Sequence, residues 1–97
     1  MQPDIEEYVR RNFGDSDVAA ALKLLESATL HDGRPADARM LRCALAACDN
    51  TLQSLNRFVA HLAVDYRDVI TAGEYGQKDG EYVRIRDLTK PFVGDTV

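Results

Sequence analysis

Apolar residues in the first half of the chain recur every three to four positions and come in short bursts. Ile5, Tyr8 and Val9 make one narrow apolar face at helical spacing. Pro3 suits a first helical turn, where its missing N–H goes unused, and Asp4, Glu6 and Glu7 carry the sign that a helix N-terminus favours. Arg10 and Arg11 follow in the last turn and Gly14 supplies a stop, so the pattern predicts a first helix over about 3–12. Val18, Ala21, Leu22, Leu25 and Ala28, widened by Leu24 and Leu30, predict a second over about 16–30, with Asp15 or Ser16 as its cap. His31-Asp32-Gly33-Arg34 ends it. Pro35 then opens a third over about 35–48, buried through Met40, Leu41, Ala44, Leu45, Ala47 and Cys48.

The fourth segment carries the longest pattern. Leu52, Leu55, Val59, Leu62, Tyr66, Val69 and Gly73 recur at spacings of 3, 4, 3, 4, 3 and 4, an a/d heptad. No Pro or Gly interrupts Thr51 to Ala72, which predicts one helix over about 51–75. Such a helix is ~37 Å long at 1.5 Å per residue, against ~22 Å for the second helix. Its far half, Tyr66 to Tyr75, then outruns its neighbours and needs cover. In the tail, Asp79-Gly80 is a tight-turn pair, and Glu81 to Arg86 alternates strictly with a strand period. No second strong strand is visible, and a lone hairpin is marginal in water. Residues 76–97 are therefore expected as an extended tail, lying on the helices or pairing with a second subunit. Pro91-Phe92-Val93 offers an apolar anchor, and Gly94 to Val97 is expected to fray. The fold class expected is all-α: a single domain over 1–97, an antiparallel three- to four-helix bundle built on one long C-terminal helix.

Composition narrows the function. The chain has 97 residues, 45% of them hydrophobic, with 12 basic against 16 acidic side chains and a net charge of −4. That is too apolar for a disordered acidic tail and too acidic for general nucleic-acid binding. No apolar run is long enough to span a membrane, and Met1-Gln2-Pro3-Asp4 opens without a signal-peptide pattern. Cys43 and Cys48 sit five positions apart, ~140° around a helix, so they are expected to face different ways as small core residues. Two reduced thiols fit a cytoplasmic protein.

Chemistry-bearing residues are sparse. His61 and Asp65 stand at i, i+4, with Arg57 and Asp68 on the same stripe, which is half of a metal site or an acid–base pair. A metal needs three or four ligands, and the remaining His31, Cys43 and Cys48 show no ligand spacing. Arg57-x-x-x-His61 resembles the Arg-x(4–6)-His motif of helical HEPN-type ribonucleases but is one residue short. Ser16, Ser27 and Ser54 lack a Gly-rich elbow, and Gly73, Gly76 and Gly80 lack the Lys-Ser/Thr of a phosphate cradle. The expectation is no catalytic residue, no metal and no cofactor. The densest mixture of aromatics and charges is Tyr66, Arg67, Asp68, Glu74, Tyr75, Arg84, Arg86 and Asp87, a candidate binding surface. The same carboxylates, Asp68, Glu74 and Asp87, are also placed to pair with Arg67, Arg84 and Arg86 and dock the tail.

Arg42-Cys43, Asp65-Tyr66-Arg67-Asp68-Val69-Ile70, Glu74-Tyr75 and Arg86-Asp87-Leu88-x-x-Pro91-Phe92 together resemble a group of small uncharacterised bacterial helical proteins. The resemblance covers roughly the last sixty residues. It implies a bacterial, cytoplasmic origin and transfers no activity. The function expected is a non-enzymatic protein–protein interaction module that forms a homodimer over the overhanging apolar edge. Alternatives are a small enzyme or ligand binder using polar residues of the long helix and tail, and a cognate binder of a basic toxin or enzyme.

Overall fold

The computed structural model describes residues 1–92. Four helices and one hairpin follow in order: α1 (Pro3–Asn12), α2 (Val18–Glu26), α3 (Ala38–Ala47), α4 (Leu52–Glu74), β1 (Tyr75–Lys78) and β2 (Glu81–Arg84). The all-α expectation is corrected. The helices dominate, but the chain closes in a two-stranded antiparallel sheet rather than an extended tail on a pure bundle. The strand expected over 81–86 finds its partner in Tyr75-Gly76-Gln77-Lys78, a stretch with no apolar alternation to announce it. Asp79 and Gly80 take the two positive-φ positions of the turn, at 54° and 82°, as a tight two-residue hairpin requires.

Helix ends move for identifiable reasons. Thr29 and Pro35 form an isolated antiparallel bridge, and the Ala36 N–H donates to the Ala28 carbonyl at 3.0 Å. That pairing holds the chain extended on both sides of Gly33, so α2 stops at Glu26 and Pro35 does not open α3. Asp37 caps α3 instead, accepting from the Met40 N–H at 3.0 Å. Thr51 caps α4 in the same way through the Ser54 N–H. The core joins all four helices through Ile5, Val9, Ala21, Leu25, Leu45, Leu55, Leu62 and Val69, each at most 2% exposed.

The long rod is also corrected. Asp65 is extended (φ −155°, ψ 98°), and α4 bends there. Its carboxylate accepts from the Arg67 N–H at 3.1 Å, the bond of an N-cap to the second residue of a new helix. α4 is thus two helical pieces, and the second ends against α3, with Gly73 at Cys43 and Glu74 on Arg39. No overhang remains: Val69 and Gly73 are buried. A side chain at Gly73 would place its first carbon 2.6 Å from the Cys43 backbone, so glycine is what lets the two helices touch. Cys43 and Cys48 are both free and buried. The expected fraying of Gly94 to Val97, and the part of Val93 in the apolar anchor, lie outside the described residues.

Candidate functional site

The distal piece of α4 ends on a buried carboxylate. Glu74 is fully enclosed, and both of its oxygens are saturated by elements distant in sequence. Arg39 of α3 grips it with two bonds, Nε to Oε2 at 2.8 Å and Nη2 to Oε1 at 2.9 Å. Arg84 of β2 adds Nε to Oε1 at 3.1 Å, and the Leu88 N–H adds a bond to Oε2 at 3.3 Å. The Cys43 thiol donates to Oε2 at 3.7 Å. The Arg39 bonds, working against burial, hold the Glu74 carboxyl below its ordinary range. Burial, with Glu74 beside it, pushes the Cys43 thiol up to about 12, so it stays protonated and inert as a nucleophile.

A second enclosed pair lies one helical turn away. Arg42, 4% exposed, grips Asp4 of α1 through Nε at 2.8 Å and Nη2 at 3.2 Å, and its Nη1 donates to the Leu88 carbonyl at 3.2 Å. Asp4 also accepts from the Phe92 N–H at 3.0 Å. Burial raises the Asp4 carboxyl, but Arg42 and the Phe92 N–H outweigh it and the net shift is downward. Leu88 therefore joins the two clusters, its N–H on Glu74, its carbonyl on Arg42 and its side chain 4% exposed in the core. The segment after β2 is a strap, closed at its end by a Tyr8–Phe92 stack with ring centroids 4.5 Å apart.

The candidate surface residues separate on this frame. Glu74 is the hub of the strap and not a surface group. Tyr66 is half-buried against the core. Arg67 turns to Asp65 at 3.0 Å, its own side chain exposed. Arg84 is shared between Glu74 and Asp87, and Asp87 also accepts from the Thr89 N–H and hydroxyl. Tyr75 and Arg86 are exposed. Asp68 bonds His61 at 2.9 Å, Oδ2 to Nε2, in place of the expected His61–Asp65 pair. Seven residues of straight helix separate two positions by ~10.5 Å along the axis, and the bend at Asp65 is what brings these two together. Both groups are solvated, 41% and 68% exposed, and no described concavity includes them. Among the described residues no three His, Cys, Asp or Glu side chains lie close enough to hold a metal ion.

Sequence reasoning missed Asp4, Arg39 and Arg42 as partners. The signal was available in α3, where Arg39 and Arg42 interrupt an otherwise apolar helix at i, i+3.

Apart from Met1 and Val64, the large apolar side chains exposed among the described residues gather at the hairpin and its exit. Tyr82 is 67% and Ile85 54% exposed, with Tyr75 beside them at 39%. Pairing runs Tyr75↔Arg84, Gly76↔Val83, Gln77↔Tyr82 and Lys78↔Glu81. The pair next to a two-residue turn is hydrogen-bonded, and bonded pairs alternate, so Tyr82 and Arg84 aim their backbone N–H and C=O away from β1. On the other edge, the Tyr75 N–H is already spent on the Thr71 carbonyl. The β2 edge has no flanking strand among the described residues. No helix is long and apolar enough to cross a membrane among them. Comparison with protein-family models, with curated proteins and with solved structures found no match.

Proposed function

We propose that this protein is a non-enzymatic, cytoplasmic interaction module that self-associates through its hairpin, strand β2 pairing with β2 of a second copy. The observation behind this reading is the β2 edge, open among the described residues and carrying exposed Tyr82, with exposed Ile85 just beyond it, on a chain whose heptad seam is already spent inside. An unpaired edge with apolar side chains is a template for another strand. The parity of the hairpin limits the register, and the one that uses both outward positions of each copy is the fullest. Tyr82 and Arg84 are the outward-bonding positions, so an antiparallel two-fold pairing sets Tyr82 opposite Arg84 of the second copy, twice over. The buried, high-pKa Cys43 and the solvated His61–Asp68 pair without a cleft favour this reading over an enzyme.

Sedimentation velocity of the full chain at tens of micromolar tests it. Wild type is expected as a dimer. Tyr82→Pro removes one outward N–H without touching a bond inside the hairpin, and proline is tolerated at such edge positions, so it is expected as a folded monomer. A strictly monomeric wild type, or a Tyr82→Pro variant as dimeric as wild type, would overturn the reading.

A further inference from the structure

The strap does more than close the fold, because it roofs a groove of ≈590 Å³ against α1 and the end of α3. Tyr8, Ala46 and Cys48 make one wall; Ile85 to Leu88 and Lys90 to Phe92 make the other. We propose that this groove binds a small organic anion with a flat apolar body, an aromatic carboxylate or phosphate ester. The volume is that of a small-molecule site. The stacked Tyr8 and Phe92 rings supply the flat apolar surface. Arg86 and Lys90 line the same groove, and neither has a carboxylate within ion-pair distance among the described residues. The one lining carboxylate, Asp87, is committed to Arg84 and Thr89. A chain of net charge −4 thus gathers two cations without a direct ion pair among the described residues beside an aromatic platform, Asp87 near Lys90 being bonded to Arg84 and Thr89.

Charge complementarity selects an anion, and the ring pair selects its body. Burial raises the Tyr8 phenol, so its hydroxyl stays protonated as a donor, and the neighbouring Arg86 partly offsets that rise. The Cys48 thiol in the wall is engaged with the Leu45 carbonyl at 3.2 Å and is also raised by burial, so binding is non-covalent. The site is preformed, because Leu88 in its roof is held from both sides by Glu74 and Arg42.

Titration of the full ¹⁵N-labelled chain with phenyl phosphate, followed by amide chemical shifts, tests the proposal, with phenol and inorganic phosphate as half-ligands. Saturable shifts at Tyr8, Ala46, Cys48 and residues 85–92, with a midpoint of about millimolar or tighter, are expected. Neither half-ligand should match that affinity. Arg86→Ala with Lys90→Ala is expected to weaken binding about tenfold or more at exposed positions that leave the fold intact. Ala46→Leu, which fills the groove without altering charge, should abolish it. No saturation by about 10 mM, shifts centred elsewhere, inorganic phosphate binding as well as phenyl phosphate, or full affinity in both variants would each overturn the proposal.

Discussion

The two pieces of α4 are held by different forces. Before Asp65, Leu55, Val59 and Leu62 pack an apolar seam, as their heptad spacing dictates. After Asp65, Val69 continues the seam, but the piece ends in Glu74, a buried charge met by two guanidinium groups, an amide and a thiol. An apolar seam is non-directional and tolerates sliding. A saturated carboxylate fixes the elements around it in one arrangement, because any shift leaves a buried charge unpaired. Hydrophobic area builds the helical half of this protein, and ion pairs tie the hairpin and strap to it.

That contrast gives the order of expected effects. Glu74→Ala takes the partner of Arg39, leaves Arg84 with Asp87 alone and removes the strap's anchor; it is expected to cost about 3–5 kcal/mol in urea unfolding. Leu62→Ala, in the apolar half, is expected to cost about 2–5 kcal/mol by cavity formation. The two losses should differ in kind: strap signals should melt early in the first variant and together with the helices in the second.

Acid should strike the polar half first. The folded-state carboxyls of Glu74 and Asp4 lie below their ordinary values of 4.5 and 3.8, so the stability they add is present above those values and lost as pH falls through the lowered ones. Unfolding midpoints measured from pH 7 downward should therefore hold until below about 4.5 and then drop. Glu74→Gln should flatten the drop. At the small end, His61→Ala is expected to change stability by under ~0.5 kcal/mol, because the His61–Asp68 pair is solvated. A loss several times larger would place His61 in the framework.

What the sequence made legible follows the same division. The apolar spacing located all four helices, and α1 runs from Pro3 to Asn12 as read. Asp79-Gly80 announced its turn. The break at Asp65 is hidden because the usual breakers are absent: the heptad runs straight through it, and an aspartate at that point also fits a solvated helix face. β1 was hidden because Tyr-Gly-Gln-Lys has no alternating apolar face and exists through its pairing with β2. Of the candidate surface, the local charges were visible, but Glu74 was misplaced on it. Its partners come from 35 residues upstream and 10 downstream, a distance that periodicity does not see. The bend at Asp65 removes the overhang, and the open edge among the described residues is that of the hairpin.

Native-state hydrogen exchange on wild type and Glu74→Gln compares the two halves most directly. The Ile85 N–H is bonded to the Glu74 carbonyl, and the Leu88 N–H to its side chain. Both amides should lose protection in the variant while Leu55 to Leu62 keep theirs. Equal loss across both pieces of α4, or unchanged protection at Leu88, would contradict a strap held by one buried carboxylate.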